Sequence, residues 1–107
     1  MADPKVIAAV KEYLKRLAQN DLSVAFAVLF GSQVTGQASD LSDIDLIVVS
    51  PQFDNGISRD IISKLWRIAA RTDSRIEPIP CGSDQWENNK SDAILEIARN
   101  EGIAING

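Results

Sequence analysis

Apolar residues recur along the first twenty positions at the spacing of an amphipathic helix. The pattern predicts a helix over 4–19, capped by Asp3 and carrying Pro4 in its first turn. Its apolar stripe consists of Val6, Val10, Tyr13, Leu14 and Leu17. Two segments follow that have the length of a buried strand: 24–30, which is apolar throughout, and 43–50, which is apolar except for Asp43, Asp45 and Ser50. The first half of the chain therefore predicts one helix and two strands.

A second helical pattern runs from about residue 57 to residue 71. It begins after Asn55-Gly56 or at a Ser58 cap. Its apolar positions are Ile57, Ile61, Ile62, Leu65, Trp66 and Ala69. We interpret the apolar stripes of the predicted helices as core packing, and Trp66 as a member of its stripe.

The remaining elements complete a layered fold. RIEPIP, residues 75–80, predicts a short strand, and SDAILEIARNEG, residues 91–102, predicts a helix capped by Ser91 and ended by Gly102. Trp86 lies between them outside any clear pattern, and we interpret it as a partly buried loop anchor. This order predicts an α/β (α+β) fold in which helices flank a small mixed sheet of three strands.

Composition and charge narrow the class of protein. The 107 residues suffice for one modest core, and we expect a single domain over 1–107. Eleven basic against fifteen acidic residues give a net charge of −4, which argues against strong nucleic-acid binding, although a local basic patch is compatible with that total. The N-terminus carries charges where a signal peptide needs an apolar run, and the longest apolar run, 24–30, is too short for a membrane span, so we expect a cytoplasmic protein.

Histidine is absent from the sequence, and Cys81 is its one cysteine. This excludes histidine-based catalytic triads, the usual Cys/His zinc sites and a disulfide within the chain. We interpret Cys81 as a small packing residue, since a catalytic thiol needs an activating group.

Two aspartates stand at the entrance of the second predicted strand. Side chains two residues apart in a strand point to the same face, so Asp43 and Asp45 share one face while Ile44 and Leu46 pack on the other. In the alternative interpretation, Asp43 belongs to a turn and Asp45 is a solvated charge. We interpret Asp40 as a turn residue in either case.

The RIEPIP segment adds a third acid. Pro78 and Pro80 lack N–H groups and aim those positions at one edge, so that edge faces solvent and Glu77 pairs inward. If the inward neighbour is 43–50, strands about 5 Å apart place Glu77 beside the two aspartates. Three close carboxylates favour hard cations, Mg²⁺ or Mn²⁺, and a pair of such ions about 3.5–4 Å apart serves phosphoryl or nucleotidyl transfer.

The turn before the aspartates has the composition of a phosphate site. Gly31 lets the backbone approach an anion closely, and a short helix starting at Ser32 would direct N–H groups and a hydroxyl toward it. Gly36 then permits the chain to turn back toward the second strand.

These motifs together resemble a known family. Gly31-Ser32, ten intervening residues and Asp43-Ile44-Asp45, set between apolar strands, resemble the nucleotidyltransferase superfamily related to DNA polymerase β, in particular its minimal nucleotidyltransferase (MNT) domain. The resemblance extends over nearly the whole chain, including RIEPIP and the final EGIAI. It implies a palm-like nucleotidyltransferase fold.

The resemblance also implies an activity and a site. Members move a nucleoside monophosphate, here expected to be AMP from ATP, to an acceptor and release pyrophosphate. The implied triphosphate contacts are Gly31 and Ser32. The implied catalytic metal ligands, for two Mg²⁺ ions, are Asp43, Asp45 and Glu77. Glu77 would serve the ion that activates the acceptor hydroxyl.

Partners and an inactive alternative follow from the same resemblance. MNT domains commonly pair with an all-helical HEPN protein as antitoxin and toxin, and some adenylylate that partner. We expect such a partner, or a second copy, to cover an otherwise open cleft. Gln33 and Thr35 stand where many members carry basic residues, which favours a catalytically weak or inactive antitoxin that acts by contact. The intact acidic triad favours an enzyme.

Overall fold

A single mixed sheet of four strands forms the centre of the computed structural model, which describes residues 3–36 and 42–106. The helices are α1 (Pro4–Gln19), α2 (Ser32–Thr35), α3 (Arg59–Thr72), α4 (Ser83–Asn88) and α5 (Ala93–Glu101). The strands are β1 (Phe26–Phe30), β2 (Ile44–Ser50), β3 (Ile76–Gly82) and β4 (Ile103–Ile105). Asp40, which the sequence suggested as a turn residue, lies outside the described residues.

The strands lie in the order β3-β2-β1-β4. β2 pairs antiparallel with β1 and parallel with β3, and β4 pairs antiparallel with β1. The short helix α2 lies in the β1–β2 connection, while α3 provides the crossover that a parallel β2–β3 pair requires. The predicted mixed sheet flanked by helices is confirmed. The expected count of three strands was wrong because β4 has only three residues, too few for a visible alternation.

The two faces of the sheet are covered by different helices. The larger apolar cluster joins α1 and α3 to one face, with Tyr13, Leu17, Leu46 and Leu65 among its members. The smaller cluster packs α4 and α5 on the other face and includes Val28, Ile47, Val49, Cys81, Leu95 and Ala98. Cys81 is fully buried, as expected for a packing residue, and burial raises the pKa of its thiol to about 11.

Side-chain caps fix where the long helices begin. The Asp3 carboxylate accepts from the Lys5 N–H of α1 at 2.8 Å, and the Ser58 hydroxyl accepts from Ile61 at the start of α3 at 3.2 Å. The predicted Ser91 cap was wrong. Asp92 caps α5 instead, because its carboxylate accepts from two N–H groups at once, those of Ile94 and Leu95. Within the described ranges, none of the helices is long and apolar enough to cross a membrane.

The interpretation of Trp66 as a core residue was wrong. Its side chain is 46% exposed, and Ile62, one turn earlier, is 40% exposed. The residues of α3 that face the sheet are Leu65, Ile68 and Ala69. The apolar stripe of this helix is therefore wider than the surface it packs against, and its outer edge faces solvent.

Candidate active site

The first residues of β2 carry the two aspartates. Ile44, Leu46 and Val48 belong to the cluster under α1 and α3. By strand alternation, Asp45 lies on the opposite face, where Ile47 packs against the α5 side. Asp45 is half-buried, and Asp43, just before the strand, is exposed. The predicted separation of apolar and acidic positions along this strand is confirmed.

Glu77 is brought to Asp45 by strand register. β3 pairs parallel with β2, and Glu77 lies directly across from Asp45. β3 is also the edge strand of the sheet, so the N–H positions that Pro78 and Pro80 lack are on its unpaired side. The strand pairing that the two prolines predicted is therefore confirmed.

The raised pKa of Glu77 reflects its burial and the proximity of the three carboxyl groups. Partial burial, then the negative charges of Asp43 and Asp45 and side-chain hydrogen bonds with both, raise the pKa of Glu77 above its usual value. Among the residues that the structure describes, none of the ion pairs includes any of these three acids. The fold thus holds a concentration of negative charge on one side of the sheet.

Gly31 brings the backbone against this acidic group. It directly follows Phe30, which pairs with Asp45 across the β1–β2 ladder. Its φ of +79° and ψ of −149° form a combination that is essentially restricted to glycine. A Cβ atom here would lie 2.6 Å from the Asp45 Oδ2 atom. Both conformation and space therefore require glycine, and Ser32 follows it at the start of α2.

Gln33 has a structural role that sequence reasoning missed. Its side chain is buried, 5% exposed, and its amide nitrogen donates to the backbone oxygens of Ser42 and Asp43, each at 3.2 Å. These bonds tie α2 to the start of β2 and hold the Asp43 backbone. Only the spatial proximity of residues 33 and 42–43 could have revealed this role. Thr35, by contrast, is exposed.

The acids suit a hard cation by donor type. Carboxylate oxygens without histidine or thiolate are typical ligands of Mg²⁺ or Mn²⁺. Burial and the charges of the two aspartates raise the pKa of Glu77, and a cation would relieve the repulsion between the charges. As they are placed, however, no group of three or more His, Cys, Asp and Glu side chains within 3–36 and 42–106 is arranged to hold a metal ion. Joint ligation by Asp43, Asp45 and Glu77 would therefore need their side chains to turn inward.

Trp86 does not adjoin the acids. It lies on α4 rather than in a loop, and it is half-buried. Its ring meets that of Phe26 edge to face, with centroids 5.9 Å apart, and the Arg99 guanidinium lies 4.9 Å from its centroid. Phe26 pairs with Val49, at the opposite end of β2 from Asp45. Trp86 is therefore a packing anchor at the far end of this face.

Comparison with known proteins relates this geometry to one family. The family model described as "Nucleotidyltransferase domain" matches residues 9–98. A comparison with curated protein sequences found no match. Among solved structures, the chain is similar to a candidate nucleotidyltransferase from Sulfolobus solfataricus, at 15% identity and a TM-score of 0.59, with 94% of this chain and 78% of that one covered.

A second structural neighbour has a different biological setting. It is described as a toxin–antitoxin with AMP-PNP, at 18% identity and a TM-score of 0.63, with 94% of this chain and 73% of that one covered. At these identities, the two neighbours establish the shared fold.

Proposed function

Because the chain belongs to the nucleotidyltransferase domain family, we propose that it transfers AMP from ATP to a hydroxyl acceptor in an Mg²⁺-dependent reaction, with residues 1–107 acting as one minimal domain. The acceptor hydroxyl would lose its proton to solvent, and its oxygen would form a bond to the α-phosphorus. The bond from the α-phosphorus to the oxygen that bridges to the β-phosphorus would break, and pyrophosphate would leave with that oxygen. The observation that carries the proposal is the convergence of Asp43, Asp45 and Glu77 beside the Gly31 backbone.

Each residue of this group has a proposed task. Asp43, Asp45 and Glu77 would hold two Mg²⁺ ions, which neutralise charge on the phosphates and lower the pKa of the acceptor hydroxyl when bound. Gly31 would let the triphosphate approach the backbone, and Ser32 would donate its hydroxyl to a phosphate oxygen. Positioning and charge neutralisation would supply most of the rate.

The biological role that we propose is that of the antitoxin in a HEPN/MNT pair. Support comes from the structural neighbour described as a toxin–antitoxin with AMP-PNP, which combines a partner protein with an adenine nucleotide. Asp43 is exposed, and Asp45 and Glu77 are half-buried, so the acidic face is open to water. A partner that covered this face would lower the local dielectric constant and strengthen contacts to phosphate. The same partner would present the acceptor hydroxyl.

A second candidate function is neutralisation by contact, with transfer weak or lost. Gln33 favours it, because this side chain is buried in the α2–β2 contact and cannot take over the phosphate contacts of a basic residue. The two functions differ in whether label is transferred when the partner is present.

The test uses the purified chain with Mg²⁺ and each of the four triphosphates labelled in the α-phosphate, with and without the product of the neighbouring gene. We expect slow transfer by the chain alone, faster transfer with that product, label on the product, and a preference for ATP. Binding of the partner without any transfer of label would favour neutralisation by contact. Full turnover on a small molecule by an isolated monomer would refute the role of a partner.

A further inference from the structure

Positive charge is concentrated on one layer of the molecule. Helices α1 and α3 together contain eight of the eleven Lys and Arg residues of the chain but only two of its fifteen Asp and Glu residues. Both helices pack on the sheet face opposite to Asp45 and Glu77. A chain with a net charge of −4 therefore carries a basic layer on this side.

A groove of about 340 Å³ lies between the last turns of these two helices. Its lining consists of Arg16, Gln19, Asn20, Arg67, Ile68 and Arg71. Ile68 is buried and belongs to the apolar cluster beneath the helices. The other lining side chains are polar, three of them are guanidinium groups, and none of the described residues in this lining is acidic. The groove therefore has a positively charged wall.

The ends of the two helices account for part of this charge. Backbone carbonyls at the end of a helix carry partial negative charge and attract cations. Arg16 donates to the Arg71 backbone oxygen at 3.1 Å, and Lys64 donates to that of Asn20 at 3.0 Å. The Asn20 amide donates to the Arg16 backbone oxygen at 2.7 Å. The carbonyls thus explain Arg16 and Lys64, but they leave the other two arginines of the groove without a structural task.

Arg67 and Arg71 are those two arginines. They lie one helical turn apart on α3, and both are exposed. Within residues 3–36 and 42–106, neither guanidinium forms an ion pair. Asp73, two residues after Arg71, pairs with Arg75 instead, at 2.8 Å. Like charges at this spacing repel each other, so an anion that bound both arginines would relieve that repulsion.

We propose that this groove binds the dianionic phosphate group of a small molecule. A phosphate monoester carries a charge of about −1.5 to −2 and three strong acceptor oxygens, which match two guanidinium groups. A carboxylate carries a single charge, and one guanidinium fork satisfies it. The Gln19 amide in the same lining would add a further donor. The groove lies across the sheet from the three acids, so the inference goes beyond nucleotidyl transfer and does not rest on it.

A nucleic acid is the less favoured ligand of this groove. Its internal phosphates carry one charge each, and single strands are bound largely by aromatic side chains on which bases stack. Among the described residues, the lining includes no aromatic side chain. A volume of about 340 Å³ is instead typical of a site for a small molecule.

The test is an NMR titration of the ¹⁵N-labelled chain in EDTA, so that no divalent cation is available to the acids. The probes are inorganic phosphate, AMP and an oligouridylate that lacks a terminal phosphate. The groove variant is Arg67→Gln/Arg71→Gln. The control is Lys11→Gln/Arg59→Gln, which removes the same charge from exposed residues of the same helices outside the lining. All four side chains are exposed, and the Arg71 backbone oxygen stays available to Arg16, so both variants should fold.

We expect phosphate and AMP to shift resonances in the last turns of α1 and α3. The groove variant should bind both at least about tenfold more weakly, because it loses charge-assisted hydrogen bonds, while the control binds them like the wild type. Similar affinities for the two probes would identify the phosphate group alone as the ligand, and tighter binding of AMP would identify a nucleotide. Absence of binding, shifts confined to the face with the three acids, equal loss in the control or tighter binding of the oligouridylate would each overturn the proposal.

Discussion

At the scale of single residues, Gly31 is the position in the candidate site that tolerates no side chain. Its backbone geometry excludes other residues, and the carboxylate of Asp45 fills the space where a side chain would begin. A residue with a Cβ atom would have to displace either the turn or the acid. The requirement for glycine is therefore both conformational and steric.

Gly31→Ala should reduce transfer about 100-fold, because it moves Asp45 away from a position that metal and phosphate chemistry depends on. Backbone strain should also cost about 1–3 kcal/mol of unfolding free energy. Gly36→Ala is the matched control, since Gly36 has a φ of +83° but no described residue places an atom within 4 Å of its missing Cβ. Urea denaturation should show that both variants are destabilised. Transfer rates should be reduced in Gly31→Ala and not in Gly36→Ala. Equal activity in both would contradict the role of Gly31.

Glu77 makes the stability of the metal-free protein depend on pH. Because the fold raises its pKa, the folded state holds this proton more tightly than the unfolded chain does. For this group, stability is greatest below the usual value of 4.5 and falls as pH rises through the raised pKa.

Glu77→Gln should therefore raise the Tm of the metal-free protein at neutral pH and remove this part of the pH dependence. Added Mg²⁺ should raise the Tm of the wild type more than that of the variant, because it binds the folded acids. The exposed Glu87 provides the control Glu87→Gln, which should alter neither. The measurement is the Tm of the wild type and both variants between pH 4 and 8, with and without Mg²⁺. A Tm of metal-free Glu77→Gln below that of the wild type would indicate a structural role for Glu77 instead.

At the scale of elements, the cap of α5 shows how one residue decides a boundary. Asp92 accepts from Ile94 and Leu95, whereas Ser91, among the described residues, bonds to the Asn89 side chain just before it and to no N–H group of α5. Asp92→Ala should cost about 1 kcal/mol of unfolding free energy, while Ser91→Ala should change it by less than about 0.5 kcal/mol. Chemical denaturation measures both. A larger loss of unfolding free energy for Ser91→Ala than for Asp92→Ala would show that Ser91 is the cap.

The elements that sequence predicted are those with strong periodicity or strong local chemistry. α1 and α3 repeat their apolar residues over several turns, and Pro78 with Pro80 indicated the edge strand. The short α4 and β4 have too few residues for a period to appear. Trp66 was misplaced because periodicity gives the angular position of a side chain but not the width of the surface opposite it.

The residues of the candidate site also differ in how far the sequence could predict their positions. The spacing of Asp43 and Asp45 predicted that these two acids share a face, and the prolines predicted that Glu77 pairs inward. That the inward neighbour is β2, which brings the three acids together, is given by the fold. The contribution of Gln33 was not predictable, because its hydrogen bonds to Ser42 and Asp43 depend on how α2 folds back on the sheet. Contacts of that kind are properties of tertiary packing.

At the scale of the whole molecule, charge is divided between the two faces of the sheet. The basic helices α1 and α3 cover one face, and the three acids lie on the other. Net charge conceals this division, since the total of −4 describes neither face. The division gives the molecule two chemically distinct surfaces, one suited to cations and phosphates and one suited to acidic groups.

The central claim is that Asp43, Asp45 and Glu77 act together with Mg²⁺ in nucleotidyl transfer. The most direct measurement is Mg²⁺-dependent transfer from α-labelled ATP, with the neighbouring gene product present, by the wild type, Asp43→Asn, Asp45→Asn and the control Asp60→Asn. Asp60 is an exposed acid on α3, across the sheet from the site. We predict that both site variants lose transfer while the Tm of the metal-free protein stays at or above that of the wild type, because each removes a charge that repels Glu77, and that Asp60→Asn transfers label like the wild type. Undiminished transfer by Asp43→Asn and Asp45→Asn would contradict the account.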